Sequence, residues 1–173
     1  MQVNDYRFQG NEGEEPPRRV QKLIVNPGIQ FLPAYVCYDC QDLREVTLPE
    51  GLIKIGYMAF VNCKSLLEIK ICISVESIGE YAFVACKRLR KVEFSSPSPH
   101  HQLKTIGPTA FSHCLSLQRI KIPSSVNMIG ESAFQYCDVL VEAILSTTSI
   151  TEISRLVFFA SRSLQTVSLP NSL

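Results

Sequence analysis

The feature that most restricts this chain is a ruler of cysteines. Cys40, Cys63, Cys86, Cys114 and Cys137 recur at spacings of 23, 23, 28 and 23 residues. Phe60, Phe83, Phe111 and Phe134 recur at 23, 28 and 23. A fixed period of this size means that each repeat is one small unit unable to bury its apolar face alone, so the chain must stack coil on coil. The one long interval holds Ser95, Ser96, Pro97, Ser98, Pro99, His100 and His101, a turn-rich insertion of five extra residues. Past Phe134 the pattern continues with one residue added: Ile153, Phe158 and Leu164 keep their slots, while Ser154, Val157 and Ser161 replace Gly, Ala and Cys. Toward the N-terminus, Leu23, Val25, Ile29 and Leu32 keep theirs, and Cys37 stands in the Phe slot.

One copy reads Leu43, Val46, Leu48, Pro49, Leu52, Ile55, Gly56, Ala59, Phe60 and Cys63. Slot by slot this resembles the BspA-type leucine-rich repeats, over residues 20 to 173. The resemblance implies an α/β repeat fold: a solenoid with a parallel, one-strand-per-coil sheet on its concave side and turns or short helical segments on its convex side. It also implies binding or adhesion rather than catalysis. One departure stands out. The commonest leucine-rich repeat carries Asn or Cys shortly after its strand, whereas here that slot holds Gly51, Ser74 and Ser125.

Period-2 alternation places one strand of about three residues in each coil. Val46 and Leu48 point inward, and Pro49, which cannot donate to a ladder, ends the strand. Later strands fall at 69–71, 92–94, 120–122, 143–145 and 167–169. The outward column is then Ile24, Thr47, Lys70, Glu93, Lys121, Ile144 and Ser168, beside Lys22, Glu45, Glu68, Lys91, Arg119, Glu142 and Thr166. Lys70, Glu93 and Lys121 alternate in sign, as do Glu68 and Lys91, and opposite neighbours of this kind add about 0.2–1 kcal/mol per pair. The glycines Gly56, Gly79, Gly107 and Gly130 either adopt positive φ or permit close packing. The Ala-Phe-x-x-Cys segment reads as a short helical turn, with the phenylalanines stacked into an internal spine. Residues 1–17 are a polar tail or partial N-terminal cap, in which Tyr6 and Phe8 can cover the first coil. Residues 18–173 form a solenoid of about six to seven coils, the last incomplete. Either the chain is part of a longer array or its last coil is exposed and available for end-to-end self-association.

A formal net charge of +1 offers no electrostatic case for nucleic acid or an anionic membrane. No apolar run approaches the ~20 residues that span a bilayer, so membrane insertion is not expected. The first twenty residues carry Arg7, Glu12, Glu14, Glu15, Arg18 and Arg19 without an apolar run, so the chain as it stands reads as cytoplasmic. A longer native N-terminus would place it at the cell surface. The five ladder cysteines read as small buried residues with free thiols. Cys37 and Cys40 form an isolated Cys-x-x-Cys without a second pair, too little for a zinc site. No metal or cofactor is expected.

The sequence shows no catalytic constellation. His113 precedes Cys114, but adjacent side chains face apart and the repeat buries Cys114. Ile-Gly recurs once per coil, which makes those glycines structural rather than phosphate-binding. Ser96-Pro97 and Ser98-Pro99 are proline-directed phosphorylation candidates, set against the plainer reading of a tolerated surface insertion. The expected function is a non-catalytic protein-protein interaction module. It would bind a protein or peptide through Glu45, Thr47, Glu68, Lys70, Lys91, Glu93, Arg119, Lys121 and Ile144. A cell-surface adhesin and a spacer without a dedicated ligand are the alternatives.

Overall fold

A computed structural model describes residues 4–95 and 101–173. Its coils stack into a solenoid built from two parallel ladders rather than the single sheet expected. The longer strands are β1 (Asp5–Phe8), β2 (Lys22–Val25), β4 (Glu45–Thr47), β6 (Glu68–Ile71), β8 (Lys91–Phe94), β10 (Arg119–Lys121), β12 (Glu142–Ile144) and β13 (Thr166–Ser168). They hydrogen-bond in three blocks, β1-β2-β4, β6-β8 and β10-β12-β13. β4 lies beside β6, and β8 beside β10, so the blocks continue one another. Buried and exposed positions alternate as the sequence predicts: Ile69 and Ile71 inward, Glu68 and Lys70 outward.

The second ladder is made of two-residue strands: β3 (Phe31–Leu32), β5 (Lys54–Ile55), β7 (Ser77–Ile78), β9 (Thr105–Ile106) and β11 (Met128–Ile129). They form one five-stranded sheet, with Leu32 opposite Ile55, Ile55 opposite Ile78, and Ile78 opposite Ile106. The apolar partner of each pair is buried, so this sheet closes the second side of the core.

The third side contains no helix among the described residues. Each coil instead places two non-glycine residues in the left-handed region, four positions apart: Met58 and Asn62, Tyr81 and Ala85, Thr109 and His113, Ser132 and Tyr136. A left-handed residue other than glycine costs about 1–2 kcal/mol and cannot continue an α-helix. What offsets that cost lies in the next coil. The N–H groups of Met58, Phe60 and Asn62 donate to the carbonyls of Glu80, Ala82 and Val84, at 2.8–3.0 Å. Tyr81, Phe83 and Ala85 do the same to Pro108, Ala110 and Ser112. A helix would spend those donors within its own segment. The solenoid spends them between coils.

This turn places the phenylalanines inside. Phe60, Phe83, Phe111 and Phe134 are fully buried, with successive rings nearly parallel and their centroids 5.2, 5.1 and 5.4 Å apart. Phe158 extends the stack at 5.8 Å and is only partly covered. The repeat glycines serve close packing. None of Gly56, Gly79, Gly107 and Gly130 has positive φ, and a Cβ on Gly79 would meet the Gly56 carbonyl at 2.7 Å. The serines in the slot after the strand also tie coils together. Ser74 donates its hydroxyl to the Leu52 carbonyl at 2.9 Å, and Ser125 to that of Leu103 at 2.7 Å.

The N-terminal segment joins the sheet. β1 pairs with β2 in parallel, Tyr6 opposite Leu23 and Phe8 opposite Val25, and Phe8 is buried in the core. The turn that follows closes on Glu14. Its carboxylate accepts the N–H groups of Gln9, at 2.9 and 3.0 Å, and of Asn11, at 2.9 Å, and the Tyr6 hydroxyl at 2.9 Å.

Candidate functional site

The register of the long strands builds the surface that the sequence marks out. Lys70 lies opposite Glu93 and Glu68 opposite Lys91. Arg119 lies opposite Glu142, and Lys121 opposite Ile144. Glu45, Thr47, Glu68, Lys70, Lys91, Glu93, Arg119 and Lys121 are all exposed, while Ile144 and Ile24 are half-buried. β1 lengthens the face beyond what the repeat foretells, setting Asp5 beside Lys22 and Arg7 beside Ile24.

The charges pair less simply than their alternation suggests. Lys22 bridges Glu45 at 2.7 Å and Arg119 approaches Glu142 at 3.6 Å, both across strands. Lys91, however, turns to Glu93 on its own strand at 2.5 Å rather than across to Glu68. Residues two apart on a strand share a face, and Glu93 wins. That hydrogen bond and its charge raise the Lys91 ammonium and lower the Glu93 carboxyl from their ordinary values. All these side chains are exposed, so they set surface pattern more than stability.

Thr47 and Lys70 also share a concavity of about 280 Å³, bordered by Val46, Leu48, Glu50, Cys72 and Ser95. It lies where β4 and β6 run side by side in separate hydrogen-bonded blocks. A shorter gap would have let the ladder zip shut. Ser96 and Ser98, the phosphorylation candidates, fall outside the described residues.

The remaining candidates separate. Cys114 is fully buried and donates its thiol to the Phe83 carbonyl at 3.4 Å. His113 is exposed, with its Nδ1 2.9 Å from the Ser112 hydroxyl and its ring against Tyr136. The two do not meet. His101, at the end of the insertion, is buried against Phe94. Its Nδ1 accepts the Leu103 N–H at 3.2 Å, and burial lowers its pKa. All seven cysteines are free and buried. Among the described residues, no three His, Cys, Asp or Glu side chains converge as a metal site would require. No helix is long and apolar enough to cross a membrane.

A second concavity was not anticipated. About 600 Å³ lies between the Gly10–Glu15 turn and the first coil, where Phe31 and Tyr35 are more than half exposed. An aromatic edge runs on from it: Tyr35 packs edge-on against Tyr38 and Tyr57, and Tyr57 against Tyr81. The tyrosines occupy variable slots of the repeat, where only stacking brings them together.

Solved structures share this architecture. A leucine-rich repeat protein of T. pallidum superposes with a TM-score of 0.80 at 25% identity, over 96% of this chain and 75% of its own. A leucine-rich cell surface protein of Faecalibacterium prausnitzii gives 0.66 at 22% identity, over 88% of this chain and 52% of its own. A leucine-rich repeat protein of Bacteroides ovatus gives 0.65 at 18%, over 95% and 55%. No functionally curated protein matches significantly. The BspA-type leucine-rich repeat region matches in six copies, across residues 18–100 and 98–173. With the period, the stacked phenylalanines and the cysteine ladder, that match makes the chain a member of the BspA-type leucine-rich-repeat family.

Proposed function

We propose that this chain is a non-catalytic interaction module that binds a protein or peptide segment through the outward face of its long-strand sheet. The observation that carries this reading is the concavity between Thr47 and Lys70, which opens among exposed charges of alternating sign. An extended segment laid along the columns would meet Lys70, Glu93 and Lys121 in turn and seat one side chain in that opening. Solenoids offer extended surfaces of this kind rather than enclosed pockets.

The test uses the purified chain as bait in lysate of its own source, beside a folded variant carrying Lys70→Ser, Glu93→Ser and Lys121→Ser. A partner held by the native chain and lost by the variant supports the reading. Equal retention by both overturns the assignment to this face, and no specific retention by either favours a spacer.

An adhesin is the second reading, favoured by the fold shared with a leucine-rich cell surface protein and with a pneumococcal vaccine antigen. Surface biotinylation of cells expressing the native gene separates it from a cytoplasmic module. End-to-end association would use the last coil, where Ile153, Phe159 and Leu169 are exposed. Light scattering across a concentration series, with Leu169→Glu as control, tests it.

A further inference from the structure

Only the first coil holds sulfur in both the Phe slot and the Cys slot. Cys37 and Cys40 are three residues apart in one turn, which the Cys40 N–H closes onto the Cys37 carbonyl at 3.2 Å. The two sulfhydryls hydrogen-bond one another. Everywhere else in the ladder a phenylalanine ring separates each thiol from a second sulfur within its coil.

Cys40 also differs from the other ladder thiols in what covers it. Cys63, Cys86, Cys114 and Cys137 each donate to a carbonyl of the preceding coil at 3.2–3.4 Å. Cys40 has no preceding coil. Its thiol reaches the Pro17 carbonyl in the irregular N-terminal segment, at a long 3.9 Å. Beside it lies a cavity of about 110 Å³ lined by Glu15, Pro16, Arg18, Tyr35, Val36 and Tyr38. Arg18 is fixed there, donating to the Tyr38 carbonyl at 2.8 Å with its guanidinium over the Tyr38 ring.

We propose that Cys37 and Cys40 form a redox-active dithiol, oxidised to an intramolecular disulfide by small-molecule disulfides that reach Cys40 when the Glu15–Arg18 segment lifts. Cys40 attacks as thiolate, forming a mixed disulfide and releasing one thiolate of the small molecule. Cys37 then loses its proton to solvent and attacks the Cys40 sulfur. That expels the second thiolate of the small molecule and leaves the Cys37–Cys40 bond. The pair loses two electrons and two protons, and the small disulfide is reduced to two thiols. The division of labour follows from the surroundings. The hydrogen bond from Cys37 holds the Cys40 thiol below its ordinary value against partial burial, with help from Arg18, while that same bond and burial push Cys37 well above its own. Burial raises Cys63, Cys86 and Cys114, and lifts Cys137 to about 12. Thiols so raised are poor nucleophiles.

The test exposes the native, fully reduced protein to glutathione disulfide, then unfolds it in an alkylating agent and digests it with trypsin. Cleavage after Lys22 and Arg44 releases a peptide in which Cys37 and Cys40 are the sole cysteines. The expected result is that this peptide escapes alkylation and is lighter by two hydrogen atoms, while Cys63, Cys86, Cys114 and Cys137 are alkylated in full. Cys37→Phe, which restores the repeat residue, should instead trap glutathione on Cys40. Cys37→Ser gives the same reading should the larger side chain not fit. Full alkylation of both cysteines, or equal oxidation along the whole ladder, overturns the proposal.

Discussion

The Cys86 thiol donates a hydrogen bond to the Phe60 carbonyl of the preceding coil at 3.2 Å. That carbonyl also accepts the Cys63 N–H at 3.3 Å, so the cysteine slot completes a buried acceptor rather than merely filling space. Ser161 shows the same requirement in the last coil, donating to the Phe134 carbonyl at 2.8 Å. Cys86→Ala should therefore cost about 1–2 kcal/mol, from the lost bond and the void. Cys86→Ser should cost less than Cys86→Ala, because the hydroxyl keeps the partner. Urea unfolding of the two variants measures that order, and the reverse order would refute a bonding role.

Gly79 and Gly51 are needed for different reasons. Gly79→Ala drives a Cβ into the backbone of the preceding coil and should cost upward of about 1–3 kcal/mol. Gly51 has φ of 92° and nothing near its would-be Cβ, so Gly51→Ala should cost only the left-handed penalty of about 1–2 kcal/mol. Gly51→Asn should recover part of that loss, whereas Gly79→Asn should recover none. Thermal melting of the four variants separates steric from dihedral need.

Phe83 has a stacked ring on either side, and Phe158 has one neighbour and a partly open face. Phe83→Ala should lower stability by about 3–5 kcal/mol. Phe158→Ala should cost clearly less, since less apolar surface leaves water there on folding. Equal costs in denaturant titrations would argue against a continuous spine.

The Glu14 carboxylate holds the N-terminal turn. Partial desolvation acts to raise its pKa, but the N–H groups of Gln9 and Asn11 and the Tyr6 hydroxyl outweigh it and leave it lowered. The clamp is therefore fully in place above the unfolded carboxyl value and is lost as pH falls from there through the lower folded value. The amide protons of Gln9 and Asn11 should shift in NMR spectra across that acidic window. Glu14→Gln should abolish the titration.

The long-strand columns and the phenylalanine spine were legible because they obey short, local periods. Alternation alone sets Lys70 outward and Ile69 inward, and Phe83 recurs in a fixed slot. The second ladder was not legible. Ser77 and Ile78 make a strand only because Ile55 and Ile106 flank it, and two residues carry no period. The left-handed turns escaped for a related reason. Met58, Tyr81 and Thr109 have no local preference for positive φ, and the bonds that hold them there belong to the next coil. The helical reading of Ala-Phe-x-x-Cys failed at that point. In the candidate site, the facing of each charge followed from alternation, but the choice of Glu93 over Glu68 by Lys91 depends on rotamers that no period encodes.

The left-handed turns give the solenoid a direction. At each coil interface on that side, from Tyr35, Cys37 and Asp39 onward, three N–H groups point to the following coil and three carbonyls face the preceding one. Their peptide dipoles add along the stacking axis, as they do in a helix. One end is thus acceptor-rich, where Arg18 sits on the Tyr38 carbonyl, and the other is donor-rich. Two such rods cannot join tail to tail on this side, because donors would face donors. They can join only head to tail, a contact that repeats into a filament instead of closing into a two-fold dimer.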